Sequence, residues 1–191
     1  MGVLIALLAL AAGQSSMENG FTLLGYHNAD AKFMGEHIMT SVDEGLKVLD
    51  LEGNVVRQYD GLYASWLYVQ EVPDSSEGGD GPAAGYAVAY SNHANETHIL
   101  QLTEEEEVLC DRLVLKTDTL AIDPVLLKAG DTWFLTHTWI EGTINNPDPE
   151  GENGTYTVKL YQSEDLEEWE YVTDIISRKQ NLEDGDIRCV N

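Results

Sequence analysis

Five neighbouring pieces decide the fold class: Ala121-Ile122-Asp123-Pro124, Trp133-Phe134-Leu135, Thr155-Tyr156-Thr157-Val158-Lys159-Leu160-Tyr161, Ser163-Glu164-Asp165-Leu166-Glu167-Glu168-Trp169 and Tyr171-Val172-Thr173-Asp174-Ile175-Ile176. They read as short runs of β-branched, aromatic and aliphatic residues, broken by Gly, Pro, Asn and Asp. No piece keeps a 3.6-residue apolar period long enough for a helix. The spacing predicts four antiparallel strands over 121–177, the size of one propeller blade.

Upstream, the same pattern repeats. Residues 21–60 hold strand signals at Phe21-Thr22-Leu23-Leu24, Lys32-Phe33-Met34, His37 to Ser41, Gly45 to Leu51 and Asn54 to Tyr59. Glu52-Gly53 joins the last two as a hairpin. Residues 62–120 offer Trp66-Leu67-Tyr68-Val69, Tyr86 to Tyr90, His98 to Leu102 and Val108 to Leu115. Between the first two of these lies a Gly/Ser/Asp/Pro loop from Pro73 to Pro82, expected to project from a blade edge. Residues 182–190 read as the start of another unit. The period is about 50 residues with four strands each. A weak internal repeat accompanies it, with Asp30-Ala31 before Ile38-Met39-Thr40-Ser41 and Asp123-Pro124 before Trp133-Phe134-Leu135-Thr136. The expected fold is therefore all-β: a β-propeller of four-stranded antiparallel blades, about three and the start of a fourth. A closed propeller needs at least four, so the chain reads as partial, or as open and paired with something else.

Composition narrows the function classes. The net charge is −24, from 34 acidic against 10 basic side chains. Such a surface repels phosphate backbones, so no nucleic-acid partner is expected. The run Glu104 to Glu107 reads as a solvated turn. Cys110 and Cys189 match no zinc spacing and are too few for a disulfide framework. At the N-terminus, Val3 to Ala12 is apolar but too short to span a bilayer. With Ala9-x-Ala11 it reads as a signal-peptide core. Residues 1–16 are thus expected to be a signal peptide or an apolar lead segment, residues 17–191 the folded domain, and the protein secreted or extracytoplasmic.

Asp123-Pro124 before a Trp-Phe-Leu strand, with Ser163-x-Asp165-Leu166-x-x-Trp169 closing the unit, resembles glycoside hydrolase family 43 and its five-bladed propeller relatives. The turn differs from the sialidase Asp-box, which is a residue longer and needs a Gly and a Thr absent here. Its expected role is structural: Asp165 accepts from nearby backbone and Trp169 packs between blades. The resemblance implies inverting hydrolysis of arabinose- or xylose-containing glycans. Carried over by context, Asp30 becomes the general base, Asp123 the residue tuning pKa and orientation, and Glu183 the general acid. One protonated carboxyl and one carboxylate are what the reaction needs, roughly 6.5–9.5 Å apart for inversion. The three are expected to sit at strand starts and to converge on one funnel, with Pro124 holding Asp123 extended. Trp66 reads either as a core-packing residue or as a candidate to stack on a sugar ring. His137 reads either as a satisfied core histidine or as a candidate to line the central channel, where family members sometimes hold a calcium or a water. No catalytic cofactor or metal is expected. Asp30 is followed by Ala31 and Glu183 by Asp184, both departures from the family pattern. They support an alternative, a non-catalytic carbohydrate-binding or interaction propeller.

Overall fold

A computed structural model describes residues 16–17, 21–22, 30–42, 45–73, 84–92, 95–143, 146–147 and 155–178. Among the described residues the secondary structure is strand, with no helix. Two short strands, β1 (Ser16–Met17) and β2 (Phe21–Thr22), pair with each other. A first four-stranded sheet follows: β3 (Ala31–Met34), β4 (His37–Val42), β5 (Gly45–Leu49) and β6 (Val55–Tyr59). The second holds β7 (Trp66–Val72), β8 (Gly85–Asn92), β9 (Glu96–Thr103) and β10 (Val108–Lys116). The third begins with β11 (Leu120–Ala129) and β12 (Thr132–Ile140). A small ladder of β13 (Gly142–Thr143) and β14 (Asn146–Pro147) intervenes, then β15 (Tyr156–Ser163) and β16 (Glu170–Arg178) complete it. Each four-stranded sheet is an antiparallel meander in chain order.

The protein is therefore all-β, with three four-stranded sheets where the alternation predicts them. One boundary shifts: Phe21–Thr22 pairs with Ser16–Met17, so the first sheet takes its strands from 31–59. The apolar 3–12 stretch, the loop residues 74–83, Glu183, Cys189 and the 182–190 strand signal lie outside the described residues. No described helix is long and apolar enough to cross a membrane. The chain divides into two compact units, residues 1–65 and 66–191.

Local chemistry explains the turns. At the β5–β6 hairpin, Asp50 Oδ1 accepts from the Asn54 amide at 2.8 Å and Gly53 donates to the Asp50 carbonyl at 3.0 Å. The acidic run does form the β9–β10 turn. Thr103 Oγ1 accepts there from the Glu105 and Glu107 amides at 3.1 and 3.2 Å. Glu104, Glu105 and Glu107 are exposed as expected, but Glu106, at φ 64°, is buried. Burial peaks on an inner strand of each meander and is least on the last. The middle strands β5, β8 and β12 are largely buried, while β6, β10 and β16 are mostly exposed. β12 is covered on both faces from Leu135 to Thr138, so its burial does not alternate there.

Within the second unit, two sheets share a core. Val72, Ala87, Ala89 and Ile99 from the second sheet pack on Leu126, Trp133, Leu135, Tyr161 and Leu166 of the third. Each large apolar side chain buried this way contributes about 1.5–3 kcal/mol. Two polar contacts cross the same seam: Ser91 Oγ donates to the Ala121 carbonyl at 3.3 Å, and Thr97 Oγ1 lies 3.3 Å from His137 Nδ1.

The Ser163–Trp169 turn pins the outer half of this core. Asp165 Oδ1 accepts from the Glu167 and Glu168 amides at 2.8 and 3.0 Å. Ser163 Oγ accepts from the amides of Asp165 and Leu166. Those amide bonds hold the Asp165 carboxyl below the usual carboxylate range. Leu166 takes φ 68° and is fully buried, and Trp169 packs against the shared core. The turn does the structural work expected of it.

Candidate functional site

The site is built on β11 and β12. Their register runs Ile122 opposite Thr138 and then Val125 opposite Thr136. Asp123 and Pro124 therefore stand together opposite the one residue His137. This is a β-bulge, and such bulges re-aim side chains. Proline suits the position because it has no N–H to give to the ladder. Asp123 sits at φ 52°, in the left-handed region. That corrects the expectation of an extended residue. Two residues must cross the span of one, and the kink falls on Asp123, whose short polar side chain tolerates positive φ better than most. Asp123 is half-buried and is the fourth residue of its strand rather than its start.

Opposite the bulge, His137 is 1% exposed. Trp139 Nε1–H donates to His137 Nε2 at 3.2 Å. An indole nitrogen can only donate, so the neutral ring carries its proton on Nδ1 and donates it to Thr97 Oγ1. Burial, reinforced by the Lys159 ammonium, lowers the His137 pKa to about 3. His137 is thus a neutral hydrogen-bonding post with both nitrogens engaged. It has no nitrogen left for a metal. Among the described residues, no group of three His, Cys, Asp or Glu side chains is placed to hold one.

His137 also anchors a row of side chains that crosses the third sheet. Trp139 meets it edge-on at 6.1 Å and Tyr161 at 5.2 Å. Lys159 Nζ lies 4.8 Å from the Trp139 ring centre and 5.3 Å from that of Tyr171, and donates to Asp174 Oδ1 at 3.0 Å. The Lys159 bond, helped by the Tyr171 hydroxyl, holds the Asp174 carboxyl below its ordinary range. Burial pushes the Tyr161 hydroxyl up to about 12. At the end of this row an open cleft of about 460 Å³ lies over the paired ends of β12 and β15. Trp139, Glu141, Thr155, Thr157 and Lys159 line it, with Thr119 from the approach to β11.

The other candidates fare differently. Trp66, at the start of β7, is half-buried and packs with Leu120 against Ile122, Ile140 and Tyr156. It is a seam residue between sheets, beside the strand that carries Asp123. Asp30 immediately precedes β3, at a strand start as expected. Its Oδ1 accepts from Lys32 Nζ at 3.0 Å and from the Ala31 amide at 2.9 Å. Asp30 belongs to the first unit and Asp123 to the second. Glu183 lies outside the described residues.

Two groupings escape a reading of the sequence. One is the Trp139–Lys159–Tyr171–Asp174 row. The second is a triad on the second sheet, where Tyr90 donates to Asp111 Oδ1 at 2.9 Å and the His98 ring stacks on Tyr90 at 5.0 Å. Burial alone would raise the Asp111 carboxyl, but the His98 ring, with Nδ1 at 3.4 Å, and the Tyr90 hydrogen bond outweigh it and hold it low. Each grouping joins residues from three strands, so no local spacing announces it. The one sequence signal is the two-residue step Trp133, Leu135, His137, Trp139, which places all four on one face of β12. No known family model matches this sequence, and comparison with curated proteins and with solved structures found no match either.

Proposed function

We propose that this chain is a carbohydrate-active protein of the β-propeller type, similar to glycoside hydrolase family 43, and that Asp123 is part of its hydrolytic centre. The observation that carries the reading is the bulge at Asp123. A carboxylate held at positive φ, against the extended bias of the following proline and opposite a buried neutral histidine, is a costly arrangement to keep in a strand. Strain of this kind tends to persist where a side chain has a task. The repetition of four-stranded meanders, each with its last strand mostly exposed, supports a radial blade arrangement. In this reading Glu183 donates a proton to the leaving oxygen, Asp30 activates water, and Asp123 orients and tunes the acid, on arabinose- or xylose-containing glycans. The action is extracytoplasmic, and the chemistry needs no cofactor.

Asp123→Asn removes the charge and keeps the shape. Turnover of an aryl arabinofuranoside or xyloside should fall by at least about 100-fold, with the melting temperature little changed. Early unfolding with normal activity per folded molecule would make Asp123 a structural residue and end the assignment.

A second reading has its own support. The Asp30 carboxylate is already engaged by Lys32 and by its own strand, which is how a turn-capping acid behaves. A non-hydrolytic carbohydrate-binding propeller would keep the fold and have no use for a base there. Complete absence of turnover on pentosides and hexosides, with retained saccharide binding, would decide for it.

A further inference from the structure

We infer that the cleft over the paired ends of β12 and β15 is a binding subsite for a neutral saccharide, with Trp139 as its stacking platform. The inference rests on the carbohydrate-active reading, in either its hydrolytic or its binding form.

Trp139 is half-buried and lines the cleft. Its one polar group is spent on His137 Nε2, and His137 is itself tied to Thr97 on the neighbouring sheet. The indole is thus held by a hydrogen-bonded chain rooted in the core, with Lys159 Nζ over one side of its ring, and it offers a ligand the rest of its apolar surface. A rigid aromatic plate of this kind stacks on the C–H face of a sugar ring with little ordering cost. Around it stand groups that suit ring hydroxyls: the carboxylate of Glu141, the ammonium of Lys159 and the hydroxyl of Thr155, with the hydroxyls of Thr119 and Thr157 bonded to the Ile140 carbonyl and to Ser177 Oγ and left to act as acceptors. One aromatic surface with a few convergent polar groups, in a cleft of about 460 Å³, is the ordinary make-up of a small-ligand site. The Glu141 amide donates to the Thr155 carbonyl at 2.9 Å, which closes the end of the cleft.

Charge selects among saccharides. The one cation in the cleft is already neutralised by Asp174. Glu141 adds a negative charge, and the chain as a whole carries −24. A uronate would meet net repulsion, whereas a neutral pentose or hexose would not. The position is also apt: Trp139 pairs with Ala121, two residues before Asp123.

Calorimetric titration of the full chain tests this, using neutral xylo- and arabino-oligosaccharides against galacturonic-acid oligomers. The neutral sugars should bind and the acidic ones should bind at least about tenfold more weakly. Trp139→Ala should weaken neutral binding at least about tenfold, a loss typical of one aromatic contact. If Trp139→Ala does not fold, Thr155→Trp fills the cleft from its rim and should abolish binding on its own. Wild-type affinity in the variants, preference for the acidic oligomers, or no neutral-sugar binding at all would overturn the subsite. Turnover that survives in the Trp139 and Thr155 variants with unchanged affinity would sink the subsite and leave the hydrolase reading standing. Trp139-dependent binding without turnover would do the reverse.

Discussion

His137 shows how the fold decides between two readings of one side chain. A histidine just after the strand of Asp123 reads either as a satisfied core residue or as a residue lining a channel. In the folded protein it is sealed, neutral and bonded at both nitrogens, with its pKa lowered to about 3 from the ordinary 6.5. That makes it a source of pH dependence. Between pH 3 and 6.5 the unfolded chain binds a proton at this residue and the folded chain does not. Stability therefore rises with pH through that window, and acidification removes it by up to about 1.4 kcal/mol per pH unit. Above 6.5 both states are neutral there and the contribution is flat. The depressed carboxyls of Asp111 and Asp174 act lower, since their stabilisation is lost only as pH falls through values below 3.8. Denaturation midpoints measured from pH 7.5 to 4.5 should thus fall in the wild type and fall less steeply in His137→Gln. Identical slopes would show that His137 is protonated in the folded state or is not buried.

Among the strands, β8 depends on a close backbone approach at its first residue. Gly85 has φ 147° and lies opposite Thr103, and a Cβ there would stand 2.1 Å from the Leu102 carbonyl oxygen. Gly85→Ala should destabilise the second unit by at least about 2 kcal/mol, because either the ladder or the backbone must give way. Gly130, in the β11–β12 turn at φ 62°, has open space around the same position. Gly130→Ala should cost only the left-handed penalty, about 1 kcal/mol. Urea midpoints of the two variants, compared with the wild type, check the difference. Equal losses would mean that φ alone matters and that the steric contact at Gly85 relaxes. The hairpin at Glu52-Gly53 and the Ser163–Trp169 turn need no such test of placement, because their turn residues announce them.

For the molecule as a whole, an excess of 34 acids over 10 bases sets a self-repulsion that opposes folding. Raising sodium chloride from roughly 0.05 M to 1 M shortens the Debye length from above 10 Å to about 3 Å. The melting temperature should rise across that range, most steeply at the low end. A flat response would mean that the acids are spread widely enough not to interact. The all-β class, the strand positions and the sheet-by-sheet partition are legible from residues 31–178 alone. Alternation and turn chemistry act over neighbours in the chain, so each strand and hairpin declares itself locally. The bulge at Asp123, the burial of His137 and the meeting of Trp139, Lys159, Tyr171 and Asp174 are not legible in that way. They arise from the register between strands and from which face of one sheet covers another. Register is a property of pairs of strands, and burial a property of pairs of sheets. Asp123 and Pro124 face a lone His137 only once β11 and β12 have paired, and His137 loses its charge only once the second sheet closes over the third.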